Sequence, residues 1–160
     1  MSSNDVSRRA FLATACRGSV AAACGGLLLP DALASLPIVE ATGREVGQER
    51  AYPIPAADSV TVDRAQAIIL VRHEGRVFVL GLTCPHQNAA VKWLPSDGRF
   101  QCTKHDSKYN PDGVYIAGRS TRNLDRFAIR REGGSLFVNL NKVIRADQDP
   151  AGWAAAELTL

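Results

Sequence analysis

At 160 residues, 46% of them hydrophobic and 22% charged, the chain has room for one ordinary folded domain and lacks the polar, highly charged composition of a disordered one. The formal charge of +3 is mild and no run of Lys or Arg forms a stripe, so nucleic acid is excluded as an expected partner.

Residues 1–34 read as an address rather than as part of the fold. Ser7-Arg8-Arg9-Ala10-Phe11-Leu12 resembles the twin-arginine export signal, in which an Arg pair precedes a Phe-Leu step and a moderately apolar run. The uncharged stretch from Gly18 to Pro30 has the length of a signal's apolar region and falls short of the ~20 residues of a membrane span. Ala32-Leu33-Ala34 supplies a small-x-small cleavage site. Competing readings are a core helix that contains Arg-Arg, an uncleaved anchor over Ala10–Leu29, and a weak lipid-attachment match at Ala21-Ala22-Ala23-Cys24. The resemblance implies export of an already folded protein with its cofactor inserted, to the periplasm or the periplasmic face of the inner membrane. With Cys16 and Cys24 in this segment, the folded part keeps only Cys84 and Cys102, which excludes a disulfide framework unless these two pair with each other.

Residues 35–50, with Gly43, Gly47 and several charges, read as a linker leading to the first strand. From Ala51 to about residue 145 short strand patterns alternate with turn residues. Val60-Thr61-Val62 alternates, Ala67–Val71 and Val77–Leu80 are continuous apolar runs, and His73-Glu74-Gly75-Arg76 between them has hairpin-turn chemistry. Gly98–Gln101, Phe127–Ile129 and Leu136–Val138 follow, with Gly133-Gly134 as a turn. Strands this short and evenly spaced predict an all-β, antiparallel sandwich or barrel. Residues 146–160 predict a short helix and tail, with Asp149 as cap and Pro150 in the first turn.

The chemistry concentrates in Cys84-Pro85-His86 and Cys102-Thr103-Lys104-His105, separated by fifteen residues. Thiolate and imidazole together are ligands of zinc, copper and iron–sulfur sites. A Cys2His2 zinc site has the right ligand count, although its pairs usually enclose two or more residues. Blue copper usually takes an axial Met, and the single Met is Met1, which leaves only a Gln or backbone axial ligand for that reading. A C-x-H pair followed by a C-x-x-H pair, each on a loop between short strands, closely resembles the Rieske [2Fe–2S] family. The resemblance spans roughly residues 51–140. It implies that Cys84 and Cys102 hold the inner iron and that His86 and His105 hold the outer iron at the protein tip. Ser107 and Tyr109 fall where high-potential members carry a Ser and a Tyr, whose hydroxyls donate to a bridging sulfide and to a cysteine sulfur and raise the potential. The third histidine, His73, reads as a surface residue without a role.

Departures from the family pattern stand beside these matches. The cysteines of the disulfide clamp found in respiratory members are Ala89 and Lys104, and the Gly after the second His is Asp106. The Pro-containing loop over the cluster is Gly118-Arg119-Ser120-Thr121. Lys104, Arg119 and Arg122 are expected near the tip, where they balance Asp106 or guide docking.

Nothing in the sequence offers a second catalytic centre, so no catalytic residue is assigned. The resemblance implies a one-electron carrier or the iron–sulfur subunit of a larger periplasmic or membrane-associated oxidoreductase, either quinol-oxidising or similar to arsenite oxidases. Its partner is then a cytochrome b/c-type or molybdenum subunit, or a quinol. A Rieske-type ferredoxin serving an oxygenase, or a non-redox zinc module, are the alternatives.

Overall fold

The computed structural model describes residues 36–40, 43–46 and 48–160. The address segment 1–34 lies outside them. Among the described residues no helix is long and apolar enough to cross a membrane.

The continuous apolar runs become the middle of the molecule. Strand β4 (Ser59–Asp63), β5 (Ile68–His73) and β6 (Arg76–Gly81) form an antiparallel meander after the short strands β1 (Ile38–Glu40), β2 (Arg44–Val46) and β3 (Glu49–Pro53). Side chains alternate across a strand, so a run that is apolar at every position has two faces to bury. Ile69, Val71, Phe78 and Leu80 face one core, shared with Trp93, Phe100, Tyr109, Leu124 and both cysteines. Ile68, Leu70, Val77 and Val79 face a second core, shared with Tyr52, Leu136 and Val138. Each fully buried side chain of this size contributes about 1.5–3 kcal/mol, so both faces of the meander matter to stability. Glu74 and Gly75 turn the β5–β6 hairpin with φ of 50° and 71°, the pair of positive values a two-residue type I′ turn requires.

The larger sheet continues from β6 through β11 (Arg126–Glu132) and β12 (Ser135–Ile144) to β3 and β2, with β1 added parallel to β4 at the other edge. Strands β1 and β2 thus fall within residues 35–50, the stretch whose sequence reads as a linker. The smaller sheet runs in the order β10 (Tyr115–Ala117), β9 (Lys108–Tyr109), β8 (Arg99–Cys102) and β7 (Val91–Leu94). All-β architecture with two curled sheets matches the expectation from the strand pattern, apart from the parallel β1–β4 pair.

Helix α1 (Pro150–Ala155) starts where the sequence places it, with the Asp149 carboxylate accepting from the Gly152 N–H at 2.8 Å. Its Trp153 is buried and donates from Nε1 to the Leu124 carbonyl, and the following β13 (Leu158–Thr159) pairs with β6. Arg126, 2% exposed, locks this element down. Its guanidinium lies between the rings of Phe78 (4.5 Å) and Trp153 (4.0 Å) and donates to Glu157 and to the Trp153 and Asp112 carbonyls. His73 is drawn into the same polar network, 3.4 Å from Asp112, which also accepts from Arg76. That corrects its reading as a surface residue in a turn: it ends β5 and has a carboxylate partner.

Candidate metal centre

The two Cys–His pairs sit on the two loops that enter and leave the β7–β8 hairpin. The first loop, between β6 and β7, is closed by the Thr83–Ala90 bridge and by the Cys84 N–H donating to the Ala89 carbonyl at 2.7 Å. Asn88, at φ 54°, turns the chain back and donates its N–H to the Cys84 carbonyl. The second loop, between β8 and β9, is closed by the Cys102 N–H donating to the Ser107 carbonyl at 2.8 Å. Asp106 provides its turn at φ 55°, a left-handed conformation that Asp tolerates better than most residues. Gln101 Nε2 holds the Asp106 carboxylate at 2.9 Å. The loops are joined at Ala90, whose carbonyl accepts from both the N–H and the hydroxyl of Thr103 (3.0 and 2.9 Å).

The four donors come together as two unlike pairs. Cys84 and Cys102 are free thiols, fully buried, with their side chains in hydrogen-bonding contact. His86 and His105 are half-exposed and their rings meet edge-on, centroids 4.9 Å apart. Each histidine buries its Nδ1 without a hydrogen-bond partner, an arrangement that costs free energy unless something else meets those nitrogens. Among the described residues no three Cys, His, Asp or Glu side chains converge on a single metal-ion position, as a tetrahedral zinc site requires. An inner sulfur pair and an outer imidazole pair fit a binuclear centre instead.

Electrostatics favour the ligand forms. Burial pushes the Cys102 thiol up, but the backbone N–H groups of His105 and Lys104 and the Cys84 side chain outweigh it and hold the thiol below its ordinary range. Burial together with His86, Arg119 and Lys104 holds His105 below the usual imidazole range, against the pull of Asp106. Lys104 and Arg119 thus lie near the tip, as expected. Arg122 does not stand free there: it is paired with Asp125 in one direction and Asp147 at 3.6 Å in another, which ties it to the body of the fold.

Both hydroxyls singled out in the sequence lie at this site, and both are fully buried. Tyr109 Oη is 3.2 Å from Cys84 Sγ. Ser107 Oγ accepts from the Ser120 N–H at 3.0 Å.

A Rieske [2Fe-2S] domain pattern matches residues 44–128, more than half of the chain. The chain belongs to the Rieske [2Fe–2S] family. Its cofactor is accordingly a Rieske-type [2Fe–2S] cluster, and its activity is iron–sulfur electron transfer. Among Rieske relatives it is 29% identical over 151 residues to "Cytochrome b6-f complex iron-sulfur subunit 2" of Trichormus variabilis, covering 84% of this chain and 85% of that one. It is also 29% identical over 73 residues to "Alkene monooxygenase system, ferredoxin component" of Xanthobacter autotrophicus, covering 44% of this chain and 60% of that one. A solved plasma membrane Rieske protein from Synechocystis superposes over 57% of this chain with 22% identity and a TM-score of 0.40.

Sequence reasoning missed three residues of this Rieske site. Ser120, 3% exposed, and Tyr115 sit on and beside the loop over Ser107, and Thr103 ties the loops together. None has a side chain whose type announces the role, because each acts through a hydrogen bond set by loop geometry.

Proposed function

We propose that this chain is an exported Rieske electron carrier in which Cys84 and Cys102 hold the inner iron and His86 and His105 the outer one. The observation that carries the ligand assignment is the pairing of two buried free thiols with two imidazoles whose Nδ1 atoms are buried and unpartnered. When bound, the cluster accepts and returns one electron at a time. The chain's part is to hold the sulfurs away from water, keep the histidines at the surface where electrons leave, and direct hydroxyls at the sulfur atoms. Ser107 and Tyr109 do the last and set a high potential. Lys104 and Arg119 give the tip a positive rim toward a redox partner.

The protein acts as the iron–sulfur subunit of a periplasmic or membrane-associated oxidoreductase, quinol-oxidising or arsenite-oxidase-like. Similarity along most of both chains to a cytochrome b6-f iron–sulfur subunit supports this role, as does the Arg8-Arg9 address. Residues 1–34 direct export, and the Rieske domain proper spans 51–145. A second reading, a ferredoxin-like carrier for an oxygenase, draws support from the alkene monooxygenase ferredoxin and from Ala89 and Lys104 in place of the clamp cysteines.

Visible and EPR spectra of the purified protein, followed by a redox titration, test both levels. A red-brown protein whose Rieske signature disappears in His105→Ala and Cys102→Ala is expected. A colourless wild type, or a variant that keeps the signature, refutes the ligand set. Rieske potentials span about −150 to +300 mV. A value high in that range is expected for the oxidoreductase subunit and a low one for the ferredoxin-like carrier. Arg8→Lys with Arg9→Lys is expected to leave the protein in the cytoplasm.

A further inference from the structure

The loop Gly118–Thr121 stands where other Rieske proteins carry a Pro-containing cover, and its contacts give it a second task. The Ser120 N–H donates to Ser107 Oγ at 3.0 Å in a fully buried setting. A hydroxyl has one hydrogen and two acceptor positions, so Ser107 is the acceptor here and keeps its hydrogen for donation. Accepting that bond both fixes the oxygen and polarises the O–H, which makes it the stronger donor.

The loop is placed for this by neighbours rather than by proline. Gly118 adopts φ 108° and passes so close to Ser107 that a Cβ on it lies 2.5 Å from Ser107 Cα. Its carbonyl accepts from Tyr115 Oη at 2.7 Å, and the Tyr115 N–H donates to Asn123 Oδ1 at 3.0 Å, closing the far side of the same loop. The Ser120 hydroxyl lies between the Arg122 carbonyl (3.2 Å) and the Tyr109 phenol, so Ser120 touches both hydroxyl-bearing residues of the site.

We infer that Ser120, through its backbone N–H, and Tyr115, through the Gly118 carbonyl, are positioning residues that aim the Ser107 hydroxyl at the cluster and so set part of its reduction potential. The inference rests on the reading that the four Cys and His ligands hold the cluster with Ser107 beside it. It identifies the covering loop as a tuning element in addition to a lid.

The test is a redox titration of the holoprotein at fixed pH for wild type, Ser107→Ala, Ser120→Ala, Ser120→Pro, Tyr115→Phe and the double variants that combine Ser107→Ala with each of the last three. Ser107→Ala is expected to weaken reduction about tenfold, about 59 mV for one electron. Ser120→Pro removes the N–H and also the hydroxyl that reaches the Arg122 carbonyl and Tyr109, so its shift is read relative to Ser120→Ala, which keeps the N–H; Tyr115→Phe keeps the ring. Ser120→Pro, so read, and Tyr115→Phe are each expected to weaken reduction several-fold alone and to add nothing in the Ser107→Ala background. Unchanged potentials in the single variants, or equal shifts with and without Ser107, overturn the inference. If Ser120→Pro does not fold, Tyr115→Phe decides by the same two comparisons. An intact cluster with unchanged potential in Ser107→Ala refutes instead the placement of Ser107 beside the cluster, and the inference falls with it.

Discussion

Replacing Tyr109 by Phe removes one oxygen from a site whose packing is otherwise kept. The ring is fully buried, pairs across strands with Phe100 and stands edge-on to Tyr115 at 6.2 Å, none of which involves the hydroxyl. The hydroxyl lies 3.2 Å from Cys84 Sγ. Burial, reinforced by Cys84, pushes the phenol well above its ordinary range, so it remains a protonated donor throughout the neutral range. A donated bond stabilises the reduced cluster more than the oxidised one, because reduction adds negative charge to the sulfurs. A net hydrogen bond of about 0.5–1.5 kcal/mol converts, for one electron, into a fall of about 20–65 mV in Tyr109→Phe. Spectroelectrochemical titration measures the shift, with the EPR spectrum as the check that the cluster is intact. An intact cluster with an unchanged or raised potential refutes the reasoning, because the hydroxyl then does not donate to the sulfur.

Other consequences follow from the same contacts. Arg126→Ala deletes a cation stacked between Phe78 and Trp153 and leaves Glu157 without it, so stability is expected to fall by about 3 kcal/mol in chemical denaturation of the holoprotein while the potential stays put. Asp63 is buried, which pushes its carboxyl up, but the Tyr52 hydroxyl and the N–H groups of Gln66, Gly43 and Ala65 outweigh this and hold it below the ordinary range. Its folded pKa lies below the unfolded one, so its contribution is complete above about pH 4 and disappears as pH falls through the folded value. The stability advantage of wild type over Asp63→Asn, read from urea midpoints, is therefore expected to shrink on acidification, and a constant difference refutes the sign. Lys104→Glu with Arg119→Glu reverses the charge of the tip and is expected to slow oxidation by ferricyanide several-fold at low salt, with the difference vanishing at high salt.

The meander at the centre of the fold was legible because its residues leave no polar face: Ile68–Val71 and Val77–Leu80 have to be buried on both sides, and only a middle layer offers that. The ligand loops were legible because sulfur and imidazole at such spacing have few other uses. Strands β1 and β2 were not, since Ile38–Glu40 and Arg44–Val46 are short edge pieces that acquire strand geometry from β4 and β3 rather than from their own pattern. Arg122 reads in sequence like its neighbour Arg119, and only the fold brings Asp125 and Asp147 to it. The part played by Ser120 was invisible for a deeper reason: the group that acts is a backbone N–H, which every residue except proline carries.

The same loops raise the question of what replaces the clamp that the sequence lacks. Ala89 and Lys104 stand where disulfide-clamped members have cysteines, and the structure ties the loops one residue away, through Thr103 and the Ala90 carbonyl. A disulfide closing a loop of about fifteen residues contributes about 3 kcal/mol. Two hydrogen bonds at an exposed carbonyl contribute about 1–2 kcal/mol together, because water competes for the same groups. Asp106, tied to Gln101, and the loop at Gly118 stiffen the second loop but do not cross to the first. The other contacts that cross run through the ligand side chains themselves, Cys84 with Cys102 and Tyr109, and His86 with His105. The strongest cross-link available is therefore ligation, with Cys84 and His86 on one loop and Cys102 and His105 on the other. Metal–ligand bonding that joins two loops is folding free energy. The loops of this chain therefore depend on their cofactor more than clamped loops do, and folding with the cofactor already in place is the order of events that suits them.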